Sequence, residues 1–254
     1  MSEDAVYLFQ NTEEVMNLIV TKDYREMSQK GAEIIRDLLK TKKNAVLGLA
    51  TGSTPVGMYR ELVRMNREGE VSFRDVTTVN LDEYYPIKAD NDQSYRYFMN
   101  DNLFNDIDID IELTHVLNGE AEDTDKECED YEKLIKDLGG IDLQVLGIGR
   151  NGHIGFNEPG DRLYPRTHKT ALTQNTIDAN SRFFASSDDV PRFSLTMGMG
   201  TILNAKRILI LASGKEKADA IKEMLSDTID TKCPATLLSL HNDVTVIVTE
   251  DVLA

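Results

Sequence analysis

The sequence is short of several things, and each shortage excludes a class of protein. It has two cysteines, Cys128 and Cys233, far apart and without a CxxC or metal-ligand spacing, which fits a reduced, cytoplasmic setting and predicts no metal site. No apolar run approaches the roughly 20 residues that cross a bilayer. The acidic start Met1-Ser2-Glu3-Asp4 lacks the basic flank and apolar stretch of a secretory signal. Cations are scarce as well: 28 Lys and Arg face 44 Asp and Glu, a formal net charge of -16. Nucleic acid and anionic membrane both need a basic footprint, so neither is expected as a partner. An anionic ligand would have to be held by local cations and backbone N–H groups against a repulsive overall field.

What is present is an alternation of apolar strands and helical patterns. Residues 24–39 place Ile34, Ile35, Leu38 and Leu39 at helical spacing. A buried strand over 45–50 ends at Thr51-Gly52-Ser53-Thr54-Pro55, and Pro55 suits the first turn of a helix running through Met58, Leu62 and Val63, capped by Ser53 or Thr54. Further strands are predicted at 76–81, closed by Asp82-Glu83, and at 143–148, 207–212 and 244–249. Helices are predicted over 123–138, stopped by Gly139-Gly140, and over 215–225. Such βαβ units imply an α/β fold: one domain over 1–254, a mostly parallel sheet with helices on both faces, and ligands at the carboxyl ends of the strands.

Three of those strand ends carry unusual chemistry. Small residues and hydroxyls in Gly48 to Pro55 suit either a phosphate cradle at a helix N-terminus or a plain capped turn. It is not a Walker motif, because no Lys follows the glycine. Asp82 and Glu83 end the next strand, and alternation lets at most one of them face a ligand. Alone they would read as a solvated pair; in a partly dry cleft one could serve as a general base. Gly147 to Gly152 matches GxGxxG after a strand, but His153-Ile154-Gly155-Phe156-Asn157-Glu158-Pro159-Gly160 cannot continue as the helix a dinucleotide site requires. What remains is a glycine-lined loop displaying His153, suited to proton transfer, with Glu158 to orient it. Asp106, Asp108 and Asp110 start like a calcium loop, but Ile111 and Leu117 stand where Gly and Glu are needed, leaving a solvated acidic segment.

Taken together, Leu49 to Pro55, Asn80 to Tyr84, Gly147 to Pro159, Ala179 to Phe184 and Thr196 to Thr201 make the chain resemble the glucosamine-6-phosphate deaminases, nearly end to end. The related 6-phosphogluconolactonases share the GxGxxGH loop, whereas Phe156-Asn157-Glu158-Pro159 looks like the deaminase version. The resemblance implies conversion of glucosamine 6-phosphate and water to fructose 6-phosphate and ammonia, without metal or organic cofactor. It implies that His153 assists ring opening with Asn151 and Glu158, and that Asp82 moves a proton from C2 to C1. It also implies a phosphate site of Thr51, Gly52, Ser53, Thr54, Arg182 and Lys217. The segment at about 162–185, between the catalytic loop and the next core element, is the candidate lid.

Two departures bear on these expectations. Many members carry Asp where this chain has Asn151, and Asn can orient an imidazole but not stabilise its cation by charge. Longer members form hexamers that answer to N-acetylglucosamine 6-phosphate. Asp161, His168 and Thr170 stand where a hydroxyl and cations match that allosteric site. A non-allosteric monomer or small homo-oligomer is therefore expected. The rivals are a lactonase, a deaminase of the galactosamine epimer, and a non-catalytic effector-binding domain, for which no basic helix-turn-helix is present.

Overall fold

The computed structural model describes residues 16–174, 177 and 190–254. Strand β1 (Asn17–Thr21) leads into helix α1 (Tyr24–Thr41), where Asp23 accepts the Glu26 N–H at 2.8 Å and Glu26 Oε2 accepts the Lys22 N–H at 2.9 Å. These reciprocal bonds satisfy donors that a helix start leaves open. Strand β2 (Val46–Leu49) is buried along its whole length. Leu47 and Leu49 pack beneath α1 and α2 (Ser53–Arg67), while Val46 and Ala50 join the cluster on the opposite face. Burial on both faces is why this strand reads as an unbroken apolar run.

The other elements follow the same plan. Strands β3 (Thr77–Asn80), β5 (Thr114–His115), β6 (Leu143–Leu146), β9 (Ile208–Ala212) and β10 (Val244–Thr249) complete a parallel sheet ordered β1-β10-β9-β6-β2-β3-β5. Helix α3 (Tyr95–Asn102) contributes Met99 to the α1–α2 face. Helices α4 (Thr124–Asp137), α5 (Met199–Leu203) and α6 (Ala218–Met224) cover the other. From β2 the chain moves outward through β3 and β5, and from β6 it moves the opposite way through β9 and β10. Connections therefore diverge between two adjacent strands, β2 and β6, and their carboxyl ends open a crevice there. The expected α/β sheet with helices on both faces is what is found.

Several expectations need correction. Asp82 and Glu83 do not close β3; they begin β4 (Asp82–Tyr85) of a second, antiparallel sheet with β7 (His168–Ala171) and β8 (Phe193–Thr196). Leu81 is the pivot, donating to Leu49 O at 3.0 Å and accepting from Met197 N at 2.8 Å. Alternation gave no sign of this, because the strands of both sheets are only four residues long at the junction. Neither Ser53 nor Thr54 caps α2: the cap residue is Gly52, and no side chain bonds there. The helix predicted from 215 opens with a 3₁₀ turn, Lys215–Lys217, before α6. Asp108 is not simply solvated, since it accepts from Asn66, Ser72 and the Phe73 N–H. The proposed lid includes β7, and its part from 175 onward, apart from 177, lies outside the described residues.

At the amino ends of the strands, Asp142 ties the sheet together. Its carboxylate, 5% exposed, binds Lys42 and Lys206 at 2.7 Å and accepts the Val46 N–H at 2.8 Å. Burial raises its pKa, but the bonds from Lys206, Lys42 and Val46 outweigh that and leave it below the usual carboxylate value. A depressed folded pKa adds stability above the unfolded value of about 3.9 and loses it as pH falls. Asp142→Ala, which strands the Val46 N–H, is expected to cost about 1–3 kcal/mol at pH 7. Urea unfolding at pH 7 and pH 3 checks this: the deficit should shrink at the lower pH.

Candidate active site

The four adjacent strands β9-β6-β2-β3 deliver their carboxyl-end loops to one edge of the sheet. On β6 the exit is Gly147 to Glu158. Gly149 N–H donates to His153 O at 2.9 Å and Gly152 N–H to Gly149 O at 3.1 Å, closing the loop on itself. The His153 ring lies directly over Gly149, where a Cβ would stand 2.2 Å from Nδ1. Only glycine admits this approach.

The loop fixes three of the expected side chains as one bonded chain. Asn151 Nδ2 donates to Glu158 Oε2 at 2.9 Å, and Asn151 Oδ1 lies 2.7 Å from His153 Nδ1. Because the amide nitrogen is committed to the carboxylate, the oxygen facing the ring is an acceptor, so Nδ1 carries the proton. Nε2 is then the bare, basic nitrogen. His153 Nδ1 and Glu158 Oε2 are 3.5 Å apart, with the side chains 33% and 16% exposed. Glu158 thus stands within ion-pair distance of the ring as well as being bonded to Asn151.

Asp82 and Glu83 are both buried, at 6% and 1% exposure, which removes the reading as a solvated surface pair. Burial, then the neighbouring Glu83, push the Asp82 carboxyl well above the usual range. Among the described residues no side-chain hydrogen bond reaches it. Burial pushes Glu83 up as well, to about 7; the N–H groups of Tyr95, Arg96 and Tyr84 and the Arg96 charge offset only part of that rise. The two sites meet at Gly155, whose φ is +59°. A Cβ there would sit 3.3 Å from Asp82 Oδ2 and 3.0 Å from Thr196 Oγ1, so the His153 loop passes against Asp82.

The β2 exit supplies the N-terminus of the 15-residue helix α2 behind Gly52, with Thr51 and Thr54 half-buried and Gly52 and Ser53 exposed. Leaving these N–H groups without a side-chain cap frees them for an anion. Lys217, after β9, is not an ordinary surface cation: its Nζ donates to Ile148 O at 2.7 Å. Burial first, and Arg150 in addition, lower its pKa, while Glu216 opposes them. Arg182 lies outside the described residues.

Sequence reasoning missed an aromatic wall beside Asp82. Tyr84 and Tyr95 rings lie 4.8 Å apart, Tyr84 and Phe156 5.9 Å, and Tyr95 and Phe156 are stacked at 6.2 Å. It also missed Asn157, whose Nδ2 donates to Ile154 O and Met197 O and ties the loop to β8. The signal for Tyr95 was Ser94, a helix cap accepting the Tyr97 N–H.

Comparison with known proteins identifies the family. Residues 22–247 match the family described as glucosamine-6-phosphate isomerases/6-phosphogluconolactonase. The chain belongs to this family. A glucosamine-6-phosphate deaminase of Clostridium perfringens (strain 13 / Type A) is 57% identical over 236 residues, covering 93% of this chain and 98% of its own. One from Thermoanaerobacter sp. (strain X514) is 54% identical, covering 93% of each. The solved structure of a monomeric glucosamine-6-phosphate deaminase superposes with a TM-score of 0.90 at 48% identity, covering 93% of this chain and 98% of that one. A 6-phosphogluconolactonase from Trypanosoma cruzi, at 20% identity and TM-score 0.74 over 93% of this chain and 95% of its own, shares the fold.

Gly149→Ala tests the loop geometry. Displacing the imidazole from Asn151 is expected to lower kcat about 100-fold or more, since misplacement by an ångström has that effect. Far-ultraviolet circular dichroism should stay at the parent's.

Proposed function

We propose that the chain is a glucosamine-6-phosphate deaminase, acting as a single cytoplasmic domain on glucosamine 6-phosphate and water to give fructose 6-phosphate and ammonia. The observation that carries the reading is the bonded chain Glu158–Asn151–His153 beside a buried Asp82 carboxyl. One group is built to exchange protons between oxygens, the other to take one from carbon.

The sugar binds as a closed ring, its phosphate on the N–H groups of Gly52, Ser53 and Thr54 with the hydroxyls of Thr51, Ser53 and Thr54. Lys217 and Arg182 supply positive charge. His153 Nε2 accepts the O1 proton while Nδ1–H stays on Asn151, and the imidazolium gives that proton to the ring oxygen as the C1–O5 bond breaks. Glu158 stabilises the cation meanwhile, the part Asn151 cannot play by charge. Asp82 then removes the C2 proton of the open-chain aldehyde while the C2 ammonium group gives a proton to O1, leaving an enol that still carries the amine. Returning the proton to C1 gives an imine at C2, which water hydrolyses to the ketone and ammonia. A dry carboxylate suits the carbon step, because poor solvation makes it a stronger base than one in water. The segment 162–185 closes over the sugar. We also propose a monomer or small homo-oligomer with hyperbolic kinetics, the latter given the residues Asp161, His168 and Thr170.

One coupled assay tests the reading by following ammonia and fructose 6-phosphate from glucosamine 6-phosphate. The parent should release both in equal amounts, with kcat/KM rising as pH carries Asp82 through a pKa above the ordinary carboxylate range. N-acetylglucosamine 6-phosphate should leave the curve unchanged. Asp82→Asn should abolish turnover while substrate still binds. A lactonase would keep most of its activity in that variant, having no C2 proton to remove, and folded parent protein that releases no ammonia overturns the proposal.

A further inference from the structure

Glu83 is the charged group the mechanism leaves unused. Its side chain points away from Asp82 on the pleated strand, and at 1% exposure it is out of reach of a ligand. Both of its oxygens are bonded. Oε1 accepts the N–H groups of Tyr84 and Tyr95, both at 2.8 Å, and Oε2 accepts that of Arg96 at 2.9 Å. Tyr95 and Arg96 are the first two residues of α3, and Ser94 takes the next open N–H, from Tyr97, at 3.0 Å. A carboxylate on a strand therefore caps a helix 12 residues further along the chain.

A hydroxyl or amide cap satisfies a helix start without bringing a charge into the core. What Glu83 adds is a link between β4, which carries Asp82, and α3, which carries Tyr95. Tyr84, bonded through its own N–H to Glu83, and Tyr95 pack against each other and against Phe156 of the His153 loop. Ser194 Oγ on β8 closes the frame by donating to Glu83 O at 2.9 Å. We propose that Glu83 is a positioning residue: by capping α3 from β4 it holds Asp82, the Tyr84–Tyr95–Phe156 wall and the catalytic loop in one frame. This inference rests on the reading of Asp82 as the base at C2.

The proposal also predicts an electrostatic signature. The titratable and charged groups facing the pair are Tyr84 on β4, Tyr95 and Arg96 on α3, and Tyr131 on α4. The Arg96 guanidinium is itself held by Thr114, through Oγ1 at 2.7 Å and O at 2.8 Å. Removing the negative charge of Glu83 takes away a like charge that raises Asp82.

The test is the pH dependence of Glu83→Gln, which keeps the side-chain length and removes the charge. It should lower kcat about tenfold or more with KM within about twofold, the pattern of lost transition-state positioning. The acid limb of kcat/KM should move to lower pH. Ser94→Ala, which weakens the same helix start without altering charge, should lower Tm and leave the acid limb in place. A parent-like kcat for Glu83→Gln, or a lowered kcat with an unmoved limb, overturns the inference while an active parent leaves the deaminase reading intact. If Glu83→Gln does not fold, Glu83→Asp decides, since it keeps the charge and shortens its reach. A lowered kcat with KM held and an unmoved limb supports positioning, and parent-like kcat overturns it. A parent that releases no ammonia overturns both readings.

Discussion

Burying two adjacent carboxylates costs free energy unless each charge is compensated, and Asp82 and Glu83 are compensated unequally. Glu83 receives three backbone N–H groups and lies near the Arg96 charge, which offset part of the burial that raises its carboxyl. Asp82 has none of these bonds and feels Glu83 as a like charge. The asymmetry fixes a division of labour. One carboxylate is spent on architecture, and the other is left strained toward taking a proton. Much of the surrounding structure serves that contrast: the second sheet holds the pair out of water, and α3 presents its N-terminus to only one of them.

The second constraint is the divergence of chain connections between β2 and β6. It opens a crevice at the carboxyl ends of the central strands and sets there a helix start without a side-chain cap, a loop carrying an imidazole, and Lys217 held to Ile148. For a chain with a net charge of -16, the open backbone N–H groups of α2 and Lys217 are the means we propose for holding a sugar phosphate. Asn151 fits the same economy. Its amide spans carboxylate and imidazole at 2.9 and 2.7 Å, so it fixes the tautomer while the charge remains on Glu158.

The parallel sheet was legible because its central strands β2 and β9 are apolar and buried along their whole length, and its helices carry clear stop signals such as Gly139-Gly140. The His153 loop was legible because glycines too dense for a helix or strand had to have another use. The second sheet was not: β4 is Asp-Glu-Tyr-Tyr, and its pairing with Phe193–Thr196 is made across more than 100 residues of chain. For the same reason the cap that Glu83 gives α3 left no local trace, and neither did the contact between Gly155 and Asp82. Sequence spacing reports neighbours along a helix or strand; these arrangements depend on which surfaces the fold brings together. The phosphate loop lay between, its residues evident and its lack of a capping hydroxyl bond visible only in three dimensions.

The central claim is that a dry Asp82 carboxylate carries hydrogen from C2 to C1, and the hydrogen itself can be followed. With glucosamine 6-phosphate deuterated at C2, the account predicts fructose 6-phosphate carrying deuterium at C1, seen by NMR, and neither label transfer nor ammonia with Asp82→Asn. Ammonia release that leaves no label at C1 and persists in Asp82→Asn would contradict it.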